Sequence, residues 1–274
     1  MSETENLKKI TIKKLTGFAL ASLPVAHAFF TREGGCGSPP YAGLNTAFKT
    51  DDPDAELNRK LLFDSVGIEK NRIVILSPNH GNEIFFADNE NYDDSIVRMG
   101  TDAGFTNRKG RYFLVSSADC IILAIGDKSF SFAGVIHLGW RNLVSDFCGQ
   151  AIKEASAHYK IDPAEFVVGI GPCIYPCCYI FENPVQKSRD ARFWEPFLYH
   201  EKDDLYAIDL VSAVKKKLVN AGVLKANIHE TNLCTGCNNH LFFSCYKEGY
   251  VSGRFPNLVG FERFGLWKNR LGIL

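Results

Sequence analysis

The chain has 274 residues, with 31 Lys plus Arg against 31 Asp plus Glu and a formal net charge of zero. No global field is available to hold nucleic acid or an anionic bilayer, so any anion must be taken by a local pocket. Hydrophobic residues at 46% and charged residues at 23% exclude disordered and fibrous classes. The N-terminal stretch MSETENLKKITIKKL places acids and lysines where a secretory leader carries an apolar core, and no later stretch approaches the ~18 uncharged residues that span a bilayer. Nine cysteines, an odd count in a chain too long to need staples, fit reduced thiols better than a disulfide framework. The expectation is a cytoplasmic protein without a membrane anchor. No repeat, low-complexity segment or Gly/Ser linker divides residues 1–274, which favours one domain.

In chain order, Asp52-Pro53 announces a helix with an apolar series at Leu57, Leu61, Leu62 and Val66 and a stop at Gly67. Ile73 to Leu76 and Glu83 to Ala87 read as strands joined by the turn-forming residues 77–82, which puts His80 on a loop. Tyr112 to Ser117, Ile121 to Ile125 and Phe130 to His137 read as buried neighbouring strands, since each run is short, apolar and punctuated. Arg141 to Tyr159 carries a helical stripe, Phe166 to Gly171 a further strand, and Asp209 caps a helix closed by Gly222. Strands and helices mix without the alternation of a doubly wound sheet, so an α+β or irregular layered α/β fold is expected.

Three polar residues stand at strand ends: His80, Cys120 and His137. Two imidazoles and a thiolate make a good ligand set for Zn²⁺, and three ligands leave a fourth tetrahedral position open for chemistry. On spacing alone, buried cysteine and hydrogen-bonded histidines are the favoured reading, because 40 residues separate His80 from Cys120 and nothing resembles a compact metal motif. Cys234-Thr235-Gly236-Cys237 is a CxxC, and Cys173, Cys177 and Cys178 form a second group. A structural Cys₄ zinc would need distant loops to meet, a thioredoxin-type role would need a helix N-terminus, and incidental thiols are the expectation. Cys36, in a glycine-rich loop, has nothing near it in sequence that would activate it. The loop Thr31-Arg32-Glu33-Gly34-Gly35-Cys36-Gly37 is no P-loop or dinucleotide fingerprint, but its flexible amides beside Arg32 suit an anion, and Arg141 could add a second contact. Ser116-Ser117 lacks the Gly-x-Ser-x-Gly elbow of a serine hydrolase.

Taken together, Thr31-Arg32-Glu33-Gly34-Gly35, Tyr41-Ala42-Gly43-Leu44-Asn45, Asp51-Asp52, Asn58-Arg59, His80-Gly81, Ala118-Asp119-Cys120, His137-Leu138-Gly139-Trp140-Arg141, Gly171-Pro172, Cys234-Thr235 and Phe242-Phe243-Ser244 occur in the order that YfiH-like proteins show. The chain therefore resembles that family, called laccase-domain or polyphenol oxidase proteins and described as purine nucleoside phosphorylases with adenosine deaminase side activity. The resemblance implies a single α+β domain of layered mixed β-sheets flanked by helices, with His80, Cys120 and His137 as catalytic zinc ligands. It places Arg32, Asn45 and Arg141 near the metal as substrate and phosphate contacts. Three positions depart from the family pattern: Pro78 where glutamine is usual, Asn142 where glycine is usual, and Cys245-Tyr246-Lys247-Glu248 where a tyrosine and paired arginines are usual.

The implied reaction is phosphorolysis of purine nucleosides (adenosine, inosine, guanosine and methylthioadenosine), which needs a positioned phosphate and polarisation of the departing base. Deamination at an open zinc site needs a carboxylate to move a proton, with Asp119 or Glu83 as candidates. Three alternatives remain. Copper-dependent phenol oxidation would need further copper centres, and His27, His158, His200, His229 and His240 form no His-x-His pair. An amidase editing a peptidoglycan precursor in the cytoplasm could use the same metal or the Cys120 thiolate. A non-enzymatic nucleoside receptor is the third.

Overall fold

In the computed structural model, residues 6–88, 91–182 and 191–272 are described. Residues 1–5, part of the stretch on which the absence of a leader was argued, lie outside them. The strands, in chain order, are β1 (Leu7–Ile12), β2 (Leu15–Leu20), β3 (Val25–Phe30), β4 (Ile73–Ser77), β5 (Glu83–Phe86), β6 (Ile96–Met99), β7 (Thr101–Thr106) and β8 (Tyr112–Ser117). They continue as β9 (Ile121–Asp127), β10 (Ala133–Leu138), β11 (Phe166–Ile170), β12 (Ile180–Glu182), β13 (Leu198–Lys202), β14 (Leu205–Ile208), β15 (Ile228–Glu230) and β16 (Phe255–Arg263). Seven form one sheet in the order β1-β2-β3-β16-β8-β4-β6, six form a second in the order β15-β11-β9-β10-β7-β5, and β12-β14-β13 form a small third sheet.

Strand side chains alternate between two faces, and here both faces are apolar. On β8, Phe113 and Val115 join Val74, Leu76, Ile122, Ala124, Val135 and Val259 in a core between the two large sheets. The alternate residues Tyr112 and Leu114 pack outward against Leu62, Phe63, Val66, Phe264 and Trp267 of the Ala55–Val66 and Phe264–Arg270 helices. On β9, Ile121, Leu123 and Ile125 face the opposite way, onto Phe147, Ala151, Ile152, Val211 and Val214 of the Phe147–Tyr159 and Leu210–Asn220 helices. The result is one α+β domain of four layers, helices, sheet, sheet, helices. Burial on both faces is why the central strands read as unbroken apolar runs.

The first helix starts at Ala55, later than expected, because the Asp52 carboxylate accepts from Asn45 Nδ2 (2.7 Å) and Asp54 N (3.0 Å) and so holds a turn ahead of it. Gly67 does end it, at φ 63°. The expected Arg141–Tyr159 helix is two, Trp140–Val144 and Phe147–Tyr159, divided where Asp146 adopts φ 63°. Tyr112–Ser117 is not a neighbour of the two strands that follow it: it lies in the larger sheet, and they lie in the smaller.

That separation creates the site. β4 runs parallel to both β6 and β8, so their C-terminal ends share one edge of the larger sheet. From that edge the chain crosses to the smaller sheet three times, β4 to β5, β6 to β7 and β8 to β9. His80 lies in the first crossing and Cys120 in the third. β10 ends beside the start of β9, with His137 opposite Ile122, which brings the second histidine to the same edge.

Candidate functional site

Both crossings hold a non-glycine residue in the left-handed region, His80 at φ 62° and Asp119 at φ 81°. Such backbone costs of order 1–3 kcal/mol and persists where the surroundings fix it. Around His80 the fixing group is Asp102, fully buried on β7. Its carboxylate accepts from the backbone amides of Asn79 (3.2 Å), His80 (3.1 Å) and Gly81 (2.9 Å). It also accepts from His137 Nδ1 at 2.9 Å, leaving the far side of that ring for another partner. Asn142, one of the departures from the family pattern, completes the frame: its Oδ1 accepts from Gly139 N (2.8 Å), and its Nδ2 donates to Asp102 (3.2 Å) and to the His137 carbonyl (3.1 Å).

Asp119 is held by Thr235 Oγ1 (2.6 Å) on one carboxylate oxygen and Tyr246 N (2.7 Å) on the other. Burial raises its pKa, against the effect of these donors and of Ser244. With both oxygens engaged it sets the turn that presents Cys120.

The ligand atoms of His80, Cys120 and His137 all lie within 4.8 Å of one another. The two imidazole centres are 5.0 Å apart, and a β-carbon on Gly139 would stand 2.3 Å from the His80 ring, so the cluster closes over a residue that must lack one. Burial pushes His80 down to about 4, helped by His137 and Arg141 and opposed by Asp102, which keeps that imidazole neutral. Burial acts downward on His137 as well, but Cys120 and Asp102 outweigh it and raise that ring to about 9. His80 Nδ1 is buried with no hydrogen-bond partner. A neutral imidazole, an orphaned ring nitrogen and a sulfur beside a second imidazole form a donor set that suits a divalent cation with borderline-soft preferences.

The cluster opens into a cavity of about 580 Å³. Its walls include Trp140, Tyr179, Phe181, Tyr246 and Tyr250 as aromatic surface and Lys49, Arg141 and Arg254 as cations. The Arg141 guanidinium lies 4.5 Å from the Trp140 ring centre. Arg254 is pinned by Nη1, which donates to the carbonyls of Ser252 (2.6 Å) and Gly253 (2.9 Å) and to Ser252 Oγ (3.0 Å). Pro78 and Tyr246, the other departures, both line the cavity.

The structure therefore brings His80, Cys120, His137, Asp119 and Arg141 to one cavity and leaves Arg32, Asn45 and Glu83 outside its lining. Arg32 is already committed, to Glu248 Oε1 at 2.8 Å, to the carbonyls of Ala42 and Asn239, and to the face of Phe243 at 4.0 Å. Asn45 is wholly buried and braces Asp52 and the backbone of Arg254. Glu83 is exposed at the start of β5. The glycine-rich loop lies outside the cavity lining as well. Its glycines permit close backbone contact, Gly34 on Lys14 and Gly35 on Gly43, where a β-carbon would meet backbone atoms at 2.2–2.3 Å. Cys36 hydrogen-bonds to Asn58, and burial with Asp54 nearby raises its pKa, so the thiol is not activated.

Two residues escaped the sequence reading. Asp102 had a legible signal, a carboxylate inside a short run of small and aromatic residues that becomes a fully buried strand. Arg254 had none beyond its position just before β16, because its approach to the cavity depends on the pairing of β16 with β8.

A four-layer α+β chain with a histidine–cysteine cluster at the crossing edge of two sheets has close structural counterparts. YlmD from Geobacillus stearothermophilus superposes with a TM-score of 0.80 at 24% identity, covering 93% of this chain and 98% of that one. A Bacillus licheniformis YfiH protein gives 0.79 at 22% identity, with 93% and 99% covered. Among curated relatives, a purine nucleoside phosphorylase of Streptomyces coelicolor is 32% identical over 85% of this chain and 95% of its own length. The purine nucleoside phosphorylase YfiH of Escherichia coli is 29% identical over 86% and 93%. Residues 26–262 match the family described as multi-copper polyphenol oxidoreductase laccase. The chain belongs to this YfiH-like, laccase-domain family. Among the described residues, no helix is long and apolar enough to cross a membrane.

Proposed function

We propose that residues 1–274 form one cytoplasmic, zinc-dependent purine nucleoside phosphorylase with adenosine deaminase side activity. The observation that carries this reading is the convergence of His80, Cys120 and His137 on a cavity whose walls are both aromatic and cationic. The names of the relatives, each a purine nucleoside phosphorylase, support the phosphorolysis alone.

His80, Cys120 and His137 hold the metal. Bound zinc supplies Lewis acidity, for polarising the substrate and for lowering the pKa of water in the deaminase reaction. The chain's own groups do the rest. Trp140, Tyr179 and Tyr246 offer flat apolar faces to a purine, and the guanidiniums of Arg254, which is pinned, and of Arg141, over the Trp140 ring, hold phosphate where the ribose carbon is attacked. Arg254 takes the place that the sequence resemblance gave to Arg32, and Asn45 acts through Arg254 by holding its backbone. Asp119 positions Cys120 and, as the one of the two candidate carboxylates that lines the cavity, is also the group to move the proton in deamination.

The test is product analysis with protein loaded with zinc. Inosine should release hypoxanthine only when phosphate is present, and Cys120→Ala should lose that release together with one equivalent of metal. Phosphate-independent release, or turnover only of a nucleotide-linked muramoyl amino acid or of a phenol, would overturn the reading in favour of a hydrolase, a peptidoglycan-precursor amidase or a copper-dependent oxidase. Tight nucleoside binding without turnover of any of these would make it a receptor.

A further inference from the structure

The thiols expected to be incidental are not scattered. Two loops far apart in sequence, residues 171–179 after β11 and residues 231–239 after β15, are stapled together by backbone pairing of Cys173 with Cys234. Cys173 N donates to the Leu233 carbonyl (3.2 Å), and Thr235 N donates to the Cys173 carbonyl (2.9 Å). This pairing turns Cys173 into the core and collects four other sulfurs, those of Cys177, Cys178, Cys234 and Cys237, within 4.8 Å of one another. Cys237 Sγ lies 3.4 Å from Cys177 Sγ and 3.5 Å from Cys178 Sγ.

From this geometry we propose that Cys177, Cys178, Cys234 and Cys237 form a structural tetrathiolate zinc site, separate from the histidine–cysteine cluster. A disulfide needs its sulfurs about 2.05 Å apart. Four thiolates at ~2.3 Å around a tetrahedral zinc ion stand about 3.8 Å from one another, within the observed spread. The local backbone is built for convergence. A tight turn, with Cys178 N and Tyr179 N both donating to the Tyr175 carbonyl, lets two adjacent cysteines reach one point. Gly236 has no β-carbon to collide with Cys178, whose sulfur would be 2.8 Å from it.

The site clamps one wall of the cavity. Tyr179, next to Cys178, lines it. Thr235, next to Cys234, donates to the Asp119 carboxylate that sets Cys120. The zinc thus ties together the far ends of two loops that leave neighbouring strands and are bridged at Cys173 and Cys234.

The experiment measures zinc by elemental mass spectrometry in the full chain, purified under reducing conditions and dialysed against a weak chelator. A Cys120→Ala/His137→Ala variant, which removes the other candidate site, should keep one equivalent, and adding Cys177→Ser/Cys237→Ser should remove it. The same Cys120→Ala/His137→Ala variant refilled with Co²⁺ should show intense thiolate-to-cobalt charge transfer and tetrahedral ligand-field bands. This readout leaves the four cysteines in place, so it does not depend on the serine variant folding. Zinc absent from the Cys120→Ala/His137→Ala variant with all four thiols freely alkylated, or a Cys177–Cys237 disulfide in protein kept reduced, would overturn the proposal. Neither result bears on whether the histidine–cysteine cluster binds metal or turns over nucleosides.

Discussion

Five donors converge on the Asp102 carboxylate and fix the backbone of one histidine and the ring of the other, yet the tightest constraint on the pair is steric. Gly139 lies so close to the His80 ring that even a methyl group must displace it. Gly139→Ala should therefore weaken zinc binding 10–100-fold, the range seen when the groups that orient metal ligands are disturbed, as measured by competition with a chromogenic chelator. An unchanged affinity would mean that His80 is not a ligand. The arginines divide in the same way. Arg254→Ala should raise KM for phosphate at least 10-fold, whereas Arg32→Ala should leave it unchanged and cost about 2 kcal/mol of stability through loss of Glu248 and Phe243. Steady-state kinetics and urea unfolding of the two variants separate these effects, and a KM effect in Arg32→Ala alone would reverse the assignment.

Among the elements, the periodic signals were legible and their partners were not. Gly67 stops its helix, Asp209 caps one by accepting from Ser212 N, and β4, β8 and β9 begin where their apolar runs begin. What a run of apolar residues cannot say is which sheet it joins: β8 and β9 are separated by three residues and lie in different layers. The same limit hid the helix face. Leu57, counted in the apolar stripe, is 54% exposed, while Leu62 is fully buried beside Phe63 and Val66. Leu62→Ala should cost 2–5 kcal/mol and Leu57→Ala less than about 0.5 kcal/mol by urea unfolding. Equal losses would contradict this packing. For the candidate site, the residue types at positions 80, 120 and 137 were visible as anomalies at strand ends. Their meeting depends on two crossings between sheets and on the pairing of β10 with β9, which no local pattern encodes; the residues suggested the trio as a ligand set, and the series of motifs along the chain then singled that reading out.

For the molecule as a whole, stability should carry the mark of His27, fully buried on β3 between the large sheets and the outer helix. Its Nε2 accepts from Leu20 N (2.8 Å) and its Nδ1 donates to the Val25 carbonyl (2.8 Å), a pattern only the neutral ring can satisfy. Burial holds its pKa down at about 4, against an ordinary 6.5, with the Val25 contact opposing. The unfolded chain binds this proton more readily, so the stabilisation is complete above pH 6.5 and is lost as pH falls towards 4, by about 2 kcal/mol at pH 5. Urea midpoints at pH 7 and pH 5 should show this loss, and His27→Gln should reduce it; a slope unchanged in that variant would contradict the assignment. The layers and the crossings between them bring two imidazoles and a cysteine sulfur to one edge, and the proposed function rests on their holding one metal ion. Anomalous scattering at the zinc edge from a crystal of the zinc-loaded protein tests that most directly. The account predicts a peak about 2.3 Å from Cys120 Sγ and about 2.1 Å from a ring nitrogen of both His80 and His137. Density without a peak there, or a peak that lacks any one of the three, would contradict it.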